Sequence, residues 1–196
     1  MAKLPLETTL SLPEWLAERA AQLPQFLASE DEQIELVLEL ARLNFEHDTG
    51  GPFAAVVVEV DSGRLISVGV NRVVPLGCSS AHAEVMALSL AQRALGTFDL
   101  GAPGHPSHGI AVNWRPCAMC FGAVLWSGVR SLITAGSGPE LEELTGFDEG
   151  PVSADWKEAL AARGIRVADA VARERAIDVM RAFSTSGRLV YNGRGG

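Results

Sequence analysis

Ile34, Val37, Leu38, Ala41 and Phe45 fall at i, i+3, i+4, i+7 and i+11, a spacing that lines one face of a helix. Just ahead of them, Ser29-Glu30-Asp31-Glu32 has the spacing of a capping box, and its acids suit the positive end of a helix dipole. Gly50-Gly51-Pro52 sets the point by which that helix ends. Upstream, Ser11-Leu12-Pro13-Glu14 predicts an earlier helix with proline in its first turn, interrupted at Pro24. Beyond Pro52 the pattern changes to two short apolar runs, 53–60 and 65–70, separated by Asp61-Ser62-Gly63, which together predict a β-hairpin. Residues 71–80 read as a loop, 81–95 as a helix, and the Pro- and Gly-rich stretch 101–109 as a surface loop. A strand over 110–113, a helix over 117–126 and a strand over 129–135 follow. Helices are expected over 140–144, 154–163 and 170–183, with short strands over 165–167 and 189–191. Alternation of this kind predicts an α/β class: one mixed sheet with helices on both faces. No repeat or long linker divides the chain.

Composition narrows the partners. The 196 residues carry a formal net charge of -8 and only two lysines, Lys3 and Lys157, so a nucleic-acid partner is not expected. Arginines between 163 and 181 are scattered rather than clustered. The run 53–60 stops at Glu59 and Asp61, far short of a membrane span. Residues 1–12 hold one lysine, and Pro5 and Glu7 interrupt their leucines, so they do not read as a signal peptide and a cytoplasmic location is expected. Three cysteines, Cys78, Cys117 and Cys120, make no disulfide framework; among reduced thiols a Cys-x-x-Cys pair points to metal or redox chemistry.

Two separated pieces carry the chemistry: His82-Ala83-Glu84 and Pro116-Cys117-Ala118-Met119-Cys120. Each opens a predicted helix. Cys117 and Cys120, three apart in a first turn, share a face, and the helix dipole favours the thiolates that ligate metal. His82 supplies a third, imidazole ligand. Three protein ligands leave one position of a tetrahedral zinc open, the layout of a catalytic site rather than a structural one. A structural site needs a fourth ligand, for which only Cys78, His105 and His108 are to hand outside the N-terminal helices. Both histidines lie in the 101–109 loop and are expected in solvent. His47 is expected at a helix C-terminus, against the dipole. Glu84 is placed to move protons beside the metal, and H-x-E with P-C-x-x-C is the general signature of zinc deaminases, with the glutamate as acid/base.

At these residues the chain resembles the cytidine deaminase superfamily and, within it, the bacterial guanine deaminases. The similarity runs through Gly51-Pro52-Phe53-Ala54-Ala55-Val56, Asn71-Arg72-Val73-Val74 and His82 to Ala87. It continues through Pro116 to Trp126 and, more weakly, Phe147-Asp148-Glu149-Gly150-Pro151. The resemblance implies a three-layer α/β/α fold around a five-stranded mixed sheet, a deaminase domain over 29–196 with a helical extension over 1–28, and a homodimer. It implies one Zn²⁺ per chain on His82, Cys117 and Cys120, with Glu84 as the proton shuttle. By the same resemblance Asn71 and the backbone N–H of Ala83 bind the base, and Phe53 and Trp126 pack on or beside it. A second acid after the zinc helix contacts the ring amidine: Glu149 or Asp148, with Glu149 favoured by its context. The family's usual Thr-x-Glu before Pro-Cys is replaced here by Asn113-Trp114-Arg115, which places Asn113 and a new indole and cation beside the pocket. The expected reaction is hydrolytic deamination of a free purine base, guanine to xanthine and ammonia. Guanine nucleosides, cytosine-type bases and aminotriazines are the alternatives, with tRNA adenosine further off.

Overall fold

The computed structural model describes residues 4–193. The first three residues of the expected extension and the last three of the expected domain lie outside that range. Helix α1 spans Glu14–Arg19, with Pro13 at its N-cap, and runs into a 3₁₀ turn at Ala20–Gln22. Helix α2 spans Glu30–Glu46, and its capping box forms in full. Ser29 Oγ accepts from Glu32 N at 3.2 Å, while the Glu32 carboxylate accepts from the N–H groups of Ser29 and Ala28. All five residues of the apolar stripe are buried. His47 caps the C-terminus of α2 and stacks on Trp15 with ring centroids 5.3 Å apart, which fixes the N-terminal segment against the domain.

The strands are β1 Ala54–Glu59, β2 Leu65–Val70, β3 His108–Val112, β4 Ser131–Thr134 and β5 Arg166–Ala168. They form one sheet in the order β2-β1-β3-β4-β5. β1 is antiparallel to β2 and β3, while β3, β4 and β5 run parallel, so the sheet is mixed. Alternate residues of β1 serve two cores, as strand geometry requires. Ala54, Val56 and Val58 face α2 together with α6, Glu140–Thr145, and α8, Arg173–Ser184. Ala55 and Val57 face the other side, with α4, Ala83–Leu95, α5, Ala118–Ser127, and α7, Trp156–Ala161. Three layers result, and α5 and α7 are the crossovers that parallel pairing demands.

Close approach, not turn geometry, explains Gly69 in β2. A Cβ there would lie 2.3 Å from Ala83 O and 2.4 Å from Ala87 N, so α4 rests directly on the strand's backbone. The expected loop 71–80 contains a one-turn helix, α3, Val73–Leu76, closed by Gly77 at φ 56°. His108 is corrected from solvated loop to fully buried strand residue, with its Nδ1 2.8 Å from Leu100 O. No strand forms over 189–191; its apolar residues serve packing instead, Tyr191 lying edge-on to Phe147 at 5.0 Å.

Candidate active site

β1 and β3 are antiparallel, so the start of one lies beside the end of the other. Phe53 and Asn113 therefore meet, Asn113 Oδ1 accepting from Ala54 N at 3.1 Å. Beyond Asn113 the chain turns through Pro116 into α5, whose N-cap is Cys117. α4 starts nearby, with His82 as its N-cap. Two helix N-termini thus deliver His82, Cys117 and Cys120 to one point, their ligand atoms all within 4.8 Å of one another. It is the only cluster of this kind found among the described residues. His82 Nδ1 lies 3.6 Å from Cys117 Sγ. Tetrahedral zinc, with Zn–S about 2.3 Å and Zn–N about 2.0–2.1 Å, holds a sulfur and a nitrogen roughly 3.6 Å apart. The donor set fits that ion.

Electrostatics sharpen the picture. Hydrogen bonding from Cys120, with further help from His82, lowers the Cys117 thiol to about 4 against the burial that opposes it. The hydrogen bond to Cys117 and burial push Cys120 well up. Burial draws His82 down, but the Cys117 contact and the acids Glu84 and Glu149 outweigh it and leave the imidazole raised. Burial and the Cys117 charge raise Glu84. Glu149 is raised to about 8 by burial, with Cys117 and Glu84 adding to the effect. Two buried carboxyl groups whose proton affinity is raised, next to a metal-ligand set, are suited to proton transfer.

These groups open on a cavity of about 210 Å³. Its wall includes Phe53, Trp114, Glu84, Glu149, Phe147 and Tyr191. Phe53 meets Phe147 edge-on at 5.1 Å. Trp114 is buried, and its indole donates to Gly138 O at 3.2 Å.

The acid pair left open by the sequence divides cleanly in space. Glu149 is buried in the wall, whereas Asp148 is exposed at the rim and accepts from Gly150 N at 2.8 Å. Asn71 is fully buried. Its Oδ1 accepts from Val73 N at 3.2 Å, and its Nδ2 has no acceptor. Ala83 is the first residue of α4, so its N–H is among those a helix leaves without an internal partner. Asn113 lines the cavity with its amide already engaged: its oxygen is tied to Ala54 N and its nitrogen donates to Pro52 O at 2.9 Å, so it braces the wall. Trp126 needs correcting. It is 84% exposed on the outer face of α5, away from this chain's cavity, because seven residues from Met119 bring it back to the helix face opposite the core. Cys78 stays off the wall, 3.3 Å from Ser80 Oγ, while Ser79 takes a place on it.

The zinc-binding region of cytidine and deoxycytidylate deaminases matches residues 28–135, more than half of the chain. The chain belongs to that family. Among solved structures, the chain is similar to the guanine deaminase of Nitrosomonas europaea at 46% identity and a TM-score of 0.87, over 94% of this chain and 100% of that one. A mutant protein solved in complex with 8-azaguanine matches at 47% identity and a TM-score of 0.86, over 92% and 98%. The guanine deaminase of Bacillus subtilis is 34% identical over 100 residues, 51% of this chain and 59% of that one. The chain spans between about half and two-thirds of the length of the curated relatives it matches.

Sequence reasoning missed the C-terminal contribution to the site. Tyr191, Asn192 and Gly193 all line the cavity. Asn192 ties this segment to the loop of Asp148, its Oδ1 accepting from Asp148 N and its Nδ2 donating to Gly146 O, each at 2.9 Å. Burial and the carboxyls of Glu149 and Glu84 push the Tyr191 phenol well up. The one available signal was that Tyr191 is the only tyrosine in the chain.

Proposed function

We propose that this deaminase hydrolyses the amine from a free purine base, converting guanine to xanthine and ammonia. The observation that carries this reading is Glu149: a carboxyl buried in the wall of one small cavity that Glu84 and His82 also line, His82 being the member of the His82, Cys117, Cys120 cluster that reaches it. A guanine amidine offers two adjacent donors, N1–H and the exocyclic amine, which one carboxylate can accept together, and a cation held by the adjacent ligand set would favour that ionised form over the proton that burial keeps on Glu149. The cavity of about 210 Å³ lies below the ~300–1,000 Å³ typical of drug-sized ligands, so it suits a bare base.

A zinc ion held by His82, Cys117 and Cys120, one per chain, would supply a water activated for attack on the amine-bearing carbon. Glu84, buried beside the ligands, would serve as the base there and pass the proton to the neighbouring ring nitrogen. Glu149 would hold the amidine in register and relay the second water proton to the departing amine, so that guanine and water give xanthine and ammonia. Asn71 Nδ2 and the Ala83 N–H are unfilled donors for the ring's acceptors, and Phe53 packs beside the base. Tyr191 and Trp114 close the remaining wall against water.

A homodimer fits the outer face of α5. Met119, Gly122, Ala123 and Trp126 form an apolar stripe at helical spacing, with Met119 and Trp126 exposed and open space beside Gly122. A second copy covering that stripe would bury Trp126. Residues 1–28 act as an extension to a deaminase domain over 29–196, in keeping with a family match that begins at 28. Three free thiols suit the reducing cytoplasm; no helix among the described residues is long and apolar enough to cross a membrane.

The rival, editing of a tRNA adenosine, requires a surface that grips a phosphate backbone, and the charge of -8 speaks against it. Ammonia release from guanine, guanosine, cytosine, adenine and an aminotriazine separates the readings. Guanine should be turned over fastest among the purines and pyrimidines; preference for guanosine or cytosine would overturn the assignment.

A further inference from the structure

Arg115 stands where the family's usual pattern has an acid, and it is the only lysine or arginine among the residues that line the cavity. Its backbone N–H donates to Gly136 O at 2.8 Å, which pins the residue between β3 and the loop after β4. The Nε of its side chain is buried and has no hydrogen-bond partner among the described residues. Nor does any carboxylate there come within ion-pair distance, although Glu84, Asp148 and Glu149 share the same cavity. A guanidinium is always charged and only donates. A buried donor left without an acceptor is the kind of group that a ligand completes.

The distribution of donors and acceptors indicates which ligand edge. The buried carboxyl of Glu149 is an acceptor for the amidine, and Glu84 beside the metal ligands serves the ring nitrogen next to the reacting carbon. Once those edges are assigned, O6 with its two lone pairs and N7 still offer more acceptor sites than the single donors of Asn71 and Ala83 fill, and that pair is the edge arginine reads in a forked geometry. We propose that Arg115 donates to the O6/N7 edge and selects bases that carry an oxo group there, which makes it a specificity-determining residue. The inference rests on the guanine reading above.

The test compares guanine with 2-aminopurine, which lacks O6 and with it the N1–H; the difference at N1 is common to every Arg115 variant and cancels in the change each substitution causes. Affinity is measured by calorimetry in zinc-loaded Glu84→Gln protein, so that turnover does not confound binding, with Arg115 intact or changed to Gln or Lys. With Arg115 intact, guanine should bind more tightly than 2-aminopurine. In the Arg115→Gln protein, guanine should lose roughly ten- to a hundredfold, the range for a charge-assisted hydrogen bond, while 2-aminopurine changes less than about threefold. Arg115→Lys, which keeps the charge without the fork, should fall between. Equal loss for both bases would assign Arg115 a structural role, and an unchanged gap between them would place the reader of O6 elsewhere; either result overturns the proposal. If guanine fails to bind while another aminated ring does, the guanine reading fails first and is identified by that ring.

Discussion

The N-terminal ends of α4 and α5 and the C-terminal segment around Tyr191 build one cavity by different physical means. At the two helix starts, position follows from local rules. An N-cap residue and the first turn beyond it are fixed in space, so His82, Glu84, Cys117 and Cys120 are presented by backbone geometry alone. Around Tyr191 no regular element exists. That wall is held by side chains: Asn192 on the loop of Asp148, Tyr191 on Phe147, and Arg188 on Asp48 at 2.7 Å and Glu46 O at 3.0 Å. A site can therefore have chemistry set by short-range sequence and enclosure set by distant packing.

The largest effects should come from the helix starts. Cys117→Ala or Cys120→Ala should abolish both bound zinc and turnover, whereas Glu84→Gln should retain zinc and lose about 10²- to 10⁴-fold in kcat, the range for a general acid/base. Metal analysis beside steady-state kinetics checks the split; zinc lost in Glu84→Gln would make Glu84 part of the ligand set. Next comes the adjacent acid pair. Glu149→Gln should lower kcat/KM for guanine by roughly ten- to a hundredfold, as expected for a charge-assisted contact, while exposed Asp148→Asn changes it only a few-fold. The reverse ranking would move the amidine contact to the rim.

A smaller effect concerns stability. Glu149 is raised from 4.5 to about 8, so between those values the folded chain holds a proton that the unfolded chain has released. Stability from this group is thus complete below about pH 4.5 and is lost as pH rises through about 8. In metal-stripped protein, Tm measured from acid to alkaline pH should fall, and Glu149→Gln should flatten the slope, leaving the part due to Glu84. An identical slope in both proteins would mean that Glu149 is ionised in the fold. The smallest effect belongs to the side-chain-held wall. Arg188→Ala removes a largely exposed ion pair of about 0–1 kcal/mol, so KM should rise no more than about fivefold with kcat nearly unchanged. A collapse of kcat would show that the C-terminal wall shapes the chemistry as well as the enclosure.

The same contrast explains what could be read from the sequence. The capping box at Ser29, the hairpin around Ser62 and the paired His82 and Cys117 motifs are local codes, and the structure contains each element. Burial is not local. His108 lies in a stretch of Pro and Gly, yet one strand pairing makes it core. Asn113 was legible as a neighbour of the site, but only the antiparallel pairing of β1 and β3 reveals that its amide is engaged by Ala54 and Pro52. Trp126 shares a motif with the cysteines and faces away from them, because residues nine apart on a helix are 2.5 turns apart. Tyr191 depends on a chain return from 42 residues beyond Glu149, which no periodicity encodes.

Gly69 carries a consequence for how this chain tolerates variation. It has no chemistry and touches no substrate, but it is the bearing on which the helix of His82 and Glu84 rests. Any side chain there would wedge α4 away from the sheet and carry imidazole and carboxyl out of alignment with thiolates that stay behind on a different helix. A saturation library scored for activity would accordingly find position 69 as intolerant as a metal ligand, and random drift in the gene would leave that codon fixed for mechanical reasons.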